Sequence, residues 1–344
     1  GGAARLYGPA GPAGVSVSAA PRTSALRASV IIPNWNGLAL LRPCLDSLGA
    51  QTLSPLDGSS EVIVVDNGSR DGSADVVRAE YPWVRVLALS ENLGYAGGCN
   101  AGIEIAQGQI LVLLNNDTEA EPDWLANLVA ALDAHPEAGI AASRMMLYDR
   151  RDTLHSAGDF VRVDGTADSR GVWQAYGPPW DHEAWVFGGC GGAMAIRRQV
   201  LDAVGPFEAR YFMYLEDVDL NWRAQLAGFK CIYAPDAVVY HHLSATGGGV
   251  LASYYVGRNT LWTIARNYPH ALYRVHRRAI WRTQRRIAWD ALRAWRGAAA
   301  RARLRGQLAA LVRWPAWRAE RRRAGIAPRV SSKYIASILT PEGS

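Results

Sequence analysis

The sequence predicts an α/β fold built on a mainly parallel central sheet flanked by helices, followed by a basic helical segment. Three observations predict it. Short apolar runs recur at Ser29–Pro33, Glu61–Val65, Val84–Leu89 and Ile110–Leu114, separated by stretches long enough for a helix, as in successive βαβ units. Polar strings follow the runs: Asn34-Trp35-Asn36-Gly37 after the first, Asp66-Asn67-Gly68-Ser69 after the second, and Asn115-Asn116-Asp117-Thr118 after the fourth. Finally, residues 270–325 hold 16 of the 37 basic residues and 2 of the 31 acidic ones, which leaves 21 against 29, or −8, for the rest of a chain whose net charge is +6.

Residues 1–27 are rich in Gly, Ala, Pro and Ser without apolar periodicity, and read as a disordered leader. The fold is expected to start at residue 28. At 344 residues and 49% hydrophobic content, the chain can bury a sizeable core. Cys44, Cys99, Cys190 and Cys231 lie far apart, with none of the close pairs used for zinc or thiol exchange, so they are expected to be reduced. No apolar run approaches the roughly 18 residues of a membrane span, and the start lacks the order of a secretory signal. A soluble or peripheral protein is expected.

In open α/β sheets, ligands bind beyond the carboxyl ends of the strands. Each polar string alone could be a turn and helix cap, but three on one rim favour a site. Asp66 is the candidate to accept the imide N–H of a pyrimidine base. The glycines of Asn92-Leu93-Gly94-Tyr95-Ala96-Gly97-Gly98 would let backbone approach a ligand ahead of a helix beginning near Cys99. Their spacing is not that of a dinucleotide fingerprint. Asp117, flanked by Asn115, Asn116 and Thr118, offers hard oxygen ligands suited to Mg²⁺ or Mn²⁺ bridging a diphosphate.

The second half carries clustered carboxylates in Tyr214-Leu215-Glu216-Asp217-Val218-Asp219, at the start of a helical pattern that ends at Gly228. Part of this is helix capping, but adjacent carboxylates also raise one another toward general-base range. A strand closes at Val238-Val239-Tyr240-His241-His242, whose histidines are either metal ligands or buried, satisfied imidazoles. Trp173, Trp180 and Trp185 sit in an irregular, Gly- and Pro-rich stretch, where aromatic faces could meet a sugar ring or simply pack a β-ribbon.

Taken in order, Ser-Val-Ile-Ile-Pro-Asn-Trp-Asn, Val-Val-Asp-Asn-Gly-Ser, Asn-Leu-Gly-Tyr-Ala-Gly-Gly, Leu-Leu-Asn-Asn-Asp-Thr, Gly-Gly-Ala-Met-Ala-Ile-Arg-Arg and Tyr-Leu-Glu-Asp-Val-Asp-Leu-Asn-Trp-Arg resemble the motif set of glycosyltransferase family 2, in particular its bacterial rhamnosyltransferase-like branch. The resemblance implies a Rossmann-like GT-A fold, an inverting single displacement and a divalent cation, Mg²⁺ or Mn²⁺. It implies Asp217 as catalytic base, with Glu216 and Asp219 in support. Asp117 and His241 would be the metal ligands, although His242 is adjacent. Asn115 stands where many members have the first Asp of the metal signature, which leaves fewer negative ligands. Nucleotide-sugar contacts are expected from Pro33, Asn36, Asp66, Asn67, Asn92, Gly94, Gly97, Asn115 and Asn116, and acceptor contacts from Trp173, Trp185, Gly189 and Arg223. TDP-rhamnose is the leading donor, with UDP-hexoses open. The acceptor would be a glycan or lipid-linked saccharide of the cell envelope. A non-catalytic sugar-nucleotide-binding or membrane scaffold protein is the alternative, but both Asp117 and Asp217 are present.

The division implied is a transferase domain over residues 28–245, with a nucleotide-sugar half at 28–118 and an acceptor half at 119–245, then an Arg- and Trp-rich region over 246–344. There, Arg274, Arg277, Arg278, Arg282, Arg285 and Arg286 interleave with Trp281, Ile287, Trp289, Leu292 and Trp295, the composition of a helix lying on an anionic membrane surface. Nucleic acid is the rival partner, and a lipid-linked acceptor favours the membrane. The expected location is cytoplasmic, peripheral at the inner face of the cell membrane.

Overall fold

The computed structural model describes residues 26–243, 248–323 and 328–342. Most of the expected leader, residues 1–25, and the boundary expected at residue 245 lie outside the described residues.

The elements run in the order β1 (Ala28–Asn34), α1 (Leu38–Gly49), β2 (Ser60–Asp66), α2 (Ser73–Glu80), β3 (Val84–Ala88), α3 (Gly94–Ile105), β4 (Ile110–Leu114), β5 (Thr118–Ala120), α4 (Trp124–Ala134) and β6 (Ala138–Leu147). There follow β7 (Leu154–Ala157), β8 (Asp159–Val161), β9 (Ala167–Ser169), β10 (Ala184–Val186), β11 (Ala193–Arg197), α5 (Arg198–Val204), α6 (Glu216–Leu226) and β12 (Lys230–His241). The C-terminal helices are α7 (Gly249–Asn267), α8 (His270–Arg293), α9 (Ala298–Arg323) and α10 (Ser332–Ile338).

The main sheet has the order β10-β12-β6-β11-β4-β1-β2-β3. The strands β3, β2, β1 and β4 are mutually parallel, as the alternation predicts. Beyond β4, β11 runs antiparallel to both of its neighbours, so β6 and β12 again point the same way as β4. The polar strings after β1, β2 and β4 therefore share a rim with His241 at the end of β12.

The apolar runs are buried on both faces because each face has its own core. Val30 and Ile32 of β1 join Leu41, Leu45 and Leu48 of α1 and Trp124 and Leu128 of α4 on one side. Ile31 joins Ala96 and Cys99 of α3 and Leu220 and Ala224 of α6 on the other. Alternate residues of one strand thus serve opposite layers, which is why these runs read as continuous rather than alternating.

The C-terminal helices rest on α6. Trp222 of α6 packs with Ile264 of α7, with Tyr268 just after it, and with Leu272 and Ile280 of α8. The helices α7 and α9 approach closely because Gly257 lies against Arg303, and Gly306 against the backbone of Tyr254 and Arg258, leaving no room for a Cβ.

Candidate active site

The loops after the parallel strands are laced to one another. The Asn36 side chain accepts the amide of Arg70 at 2.7 Å, and the Asn36 amide donates to Ser69 Oγ at 2.9 Å. Asn67 donates to Asn92 Oδ1 and to the carbonyl of Gly94, and accepts the amide of Leu93. These contacts brace the rim loops against one another. Asn116 is likewise turned inward, donating to Asn34 Oδ1 at 2.7 Å.

Asp66, at the end of β2, differs from its neighbours. It is buried, and its Oδ1 has no hydrogen-bond partner. A buried acceptor without a donor is costly unless a ligand completes it. Pro33 lies beside it, paired in register with Val65.

The glycines of the 92–98 string have a different use from the one the sequence suggests. The helix begins at Gly94 rather than near Cys99. Space for a Cβ at Gly94 is filled by Phe212, at Gly97 by Leu93, and at Gly98 by Asn67 and Pro33. Absent side chains here serve close packing of protein on protein, and Gly94 also adopts a φ of +74°.

At the far side of the rim, His241 Nε2 lies 3.1 Å from Asp117 Oδ1, while His241 Nδ1 lies 3.1 Å from His155 Nδ1. His242 turns the other way, toward Glu119 Oε1 at 3.4 Å, and stacks on Tyr148. Of the two histidines, His241 is therefore the one beside Asp117. A carboxylate oxygen and an imidazole nitrogen converging at this distance form a donor set that fits Mg²⁺ or Mn²⁺, with the remaining positions left to diphosphate and water. Burial, and then the neighbouring His241, push His155 down to about 3.

Asp217 sits in the first turn of α6. Its Oδ2 accepts the amide of Gly191 at 2.8 Å, and its Oδ1 accepts that of Val218 at 2.7 Å. Burial raises its proton affinity above the ordinary carboxylate range, and those two amides pull the other way. Gly192, next to Gly191, accepts the amide of Asn115 at 2.9 Å. The segment 190–192 thus links Asp217 directly to the loop that carries Asp117. Glu216 is buried with Oε2 unpartnered, and burial, followed by the charge of Asp217, raises it well above its ordinary range.

A second carboxyl, Asp159 of β8, also reaches this point, because its amide pairs with the carbonyl of Gly188. Among the described residues, Asp159, Cys190 and Asp217 bring their oxygen and sulfur atoms within 4.8 Å of one another. Burial, and then Asp217, push Asp159 up to about 8. Burial also holds Cys190 as a thiol.

The remaining expected residues are dispersed. Asp219 is buried beneath α6 in an ion pair with Arg223 at 2.9 Å, and Asn267 donates to it at 2.7 Å. Arg223 also donates to the carbonyls of Val204, Gly205 and Pro206. With every polar edge engaged and no exposed surface, Arg223 is a structural tie and not an acceptor contact. Trp185 is on β10 at the sheet edge, against His135 and Lys230 near the start of β12, and so lies away from the rim. Trp180 packs on the core and under Arg170. The carbonyl of Gly189 accepts from Asn221, while Trp173 remains exposed beside Arg150.

Sequence reasoning missed His155, Asp159 and Asn259. The last lies on α7, where its buried amide donates to the carbonyls of Tyr211, Met213 and Tyr214, in the loop that leads into Glu216 and Asp217. No local pattern marks any of the three.

A family model described as "Glycosyl transferase family 2" matches residues 29–205, half of the chain. The chain belongs to glycosyl transferase family 2. The match ends before Asp217 and His241. The chain is 30% identical over 241 residues to the N-acetylglucosaminyl-diphospho-decaprenol L-rhamnosyltransferase of Mycobacterium tuberculosis, covering 61% of this chain and 74% of that protein. It is 29% identical over 238 residues to y4gI of Sinorhizobium fredii, covering 64% of this chain and only 25% of that longer protein. GalNAc-T7, solved with UDP, GalNAc and Mn²⁺, aligns with a TM-score of 0.58 at 17% identity, over 71% of this chain and 48% of its own. The mannosyltransferase PcManGT of Pyrobaculum calidifontis, solved with GDP-Man and Mn²⁺, aligns with a TM-score of 0.52 at 20% identity, over 93% and 86%. These two structures share the GT-A fold.

Proposed function

We propose that the chain is an inverting glycosyltransferase that moves a sugar from a nucleoside diphosphate donor to a hydroxyl of a glycan or lipid-linked saccharide in cell-envelope synthesis. L-Rhamnose from TDP-rhamnose is the first donor to test. The observation that carries this reading is the 190–192 segment, which joins Asp217 to the Asn115–Asp117 loop through Gly191 and Gly192. The name of the mycobacterial relative supports the sugar and the lipid-linked acceptor.

In this reading Asp217 accepts the proton of the acceptor hydroxyl as that oxygen bonds to the anomeric carbon. The bond from that carbon to the diphosphate breaks on the opposite face, and the diphosphate leaves with the electron pair. Asp66 receives the base through its unpartnered oxygen. Asp117 and His241 would hold the divalent cation, which would supply positive charge to offset that on the departing diphosphate.

The basic helices support a position at a membrane surface, at the inner face of the cell membrane. Trp281 turns inward and donates to the Tyr273 hydroxyl, but Trp289, Leu292 and Trp295 remain exposed at the end of α8 beside Arg293 and Arg296. Arg277, Arg278, Trp281, Arg282 and Arg285 line a groove of about 880 Å³. No helix among the described residues is long and apolar enough to cross a membrane.

The experiment is donor turnover and binding across TDP-, UDP- and GDP-sugars, with and without Mn²⁺ or Mg²⁺, on the intact chain and on Asp117→Ala. Metal-dependent turnover of one donor that Asp117→Ala abolishes upholds the reading. Absence of any sugar-nucleotide binding refutes it.

A further inference from the structure

Two imidazoles meet at the metal end of the rim, and only one of them faces Asp117. His241 presents Nε2 to Asp117 and Nδ1 to His155, each across 3.1 Å. These nitrogens lie on opposite edges of the ring, so His155 stands behind His241 and does not share the space in front of Asp117. The rings are 4.7 Å apart and tilted by 28°.

The backbone places His155 there by an irregularity. In the β6–β7 pairing, Met145 faces Ser156 and Met146 faces Leu154, so His155 is the extra residue of a β-bulge. A bulge re-aims a side chain that a regular ladder would send elsewhere.

A neutral imidazole carries one N–H. If Nε2 gives its lone pair to a cation, the proton must sit on Nδ1, where it needs an acceptor. The group at hydrogen-bond distance from that nitrogen is His155 Nδ1. Ligand histidines are commonly held in this way, through their second nitrogen.

We propose that His155 is a positioning residue for the metal site, accepting the Nδ1–H of His241 and so holding its Nε2 lone pair toward the cation beside Asp117. This rests on the metal reading of Asp117 and His241 given above.

The test is Mn²⁺ binding to the full chain with TDP or UDP present, read from the electron paramagnetic resonance signal of free Mn²⁺. His155→Phe keeps a ring without nitrogen, and His155→Asn carries an oxygen close to the position of Nδ1. The expected result is about 10- to 100-fold weaker Mn²⁺ binding for the Phe variant, with the Asn variant within about threefold of the unaltered protein. Thermal unfolding checks that each variant is folded, and His155→Leu replaces the Phe variant if the latter does not accumulate. Unchanged binding in the Phe or Leu variant overturns the proposal. So does equal loss in the Asn variant, which would make ring packing the cause. If the unaltered protein binds no Mn²⁺ with either diphosphate, the metal reading itself fails and the proposal falls with it.

Discussion

Asp159 and Asp217 bring carboxyl oxygens within 4.8 Å of each other, on strand β8 and helix α6, with Asp159 buried and Asp217 half-buried beside Gly191. Two carboxyls this close do not ionise independently. Asp217 lies in the first turn of a helix and accepts two backbone amides, whereas Asp159 accepts a hydroxyl proton from Ser169. The negative charge therefore settles on Asp217 and the proton on Asp159.

A consequence for stability follows from the sign of the shift. Asp159 is held near 8 in the folded chain, against an ordinary value of 3.8. The folded state thus binds a proton that the unfolded chain releases between about pH 4 and pH 8, and stability falls as pH rises through that window. Asp159→Asn cannot ionise and escapes this loss. The variant is expected to melt higher than the unaltered protein at pH 8, with the difference shrinking toward pH 4. Thermal unfolding across that range checks it, and a gain independent of pH would be inconsistent with a shifted Asp159.

Asp217→Asn keeps the size of the side chain and, through its one amide oxygen, one of the two backbone N–H contacts, but removes the proton acceptor. Turnover is expected to fall by about 10²- to 10⁴-fold, with the donor dissociation constant within a fewfold of the original. Calorimetric donor binding measured beside initial rates separates the two. Loss of donor binding in parallel with rate would assign Asp217 to the donor instead.

Phe212, Tyr214 and Leu215 each adopt a φ of 66° immediately before α6, a conformation that non-glycine residues rarely hold. Each such residue costs about 1–3 kcal/mol and persists only where its surroundings impose it. Asn259 is the imposing group, with three carbonyls of this loop on one buried amide. Asn259→Leu is expected to lower the melting temperature and to reduce kcat by more than tenfold, leaving donor affinity nearly unchanged. A variant that loses stability but retains full kcat would show that the loop keeps its shape without Asn259.

The parts legible in the sequence are those where one strand does one job. Val30, Ile31 and Ile32 announce a strand covered on both sides, and the ordered polar strings announce a rim. Asp117 and His241 lie 3.1 Å apart, the two residues that the family resemblance pairs. What was hidden depends on contacts between distant segments. Asn67, Asn92 and Asn116 look like ligand contacts on a linear chain, yet they pair with one another, with nearby backbone or with Asn34. Arg223 sits one helical turn from Asp219, and only burial reveals that this pair is closed to an acceptor. His155 lies in a four-residue edge strand with no periodicity, and a bulge directs its side chain. Asn259 belongs to a helix that composition assigns to the membrane module, although its polar side chain serves the loop before α6.

The exposed end of α8 offers a separate test, since it carries apolar and cationic groups on a helix that is otherwise docked. Trp289, Leu292 and Trp295 are each about half exposed, beside Arg293 and Arg296. Aromatic rings at headgroup depth and arginines against anionic lipid act together in interfacial helices. Replacing the three apolar residues with Ser is expected to reduce co-sedimentation with vesicles containing phosphatidylglycerol by at least tenfold. Raising the salt from 0.05 to 0.5 M should weaken the unaltered protein through screening of the arginines. Because these side chains project from the exposed end of α8, donor hydrolysis in solution should persist in the triple variant. Equal vesicle binding before and after the substitution would move the membrane contact elsewhere on the basic helices.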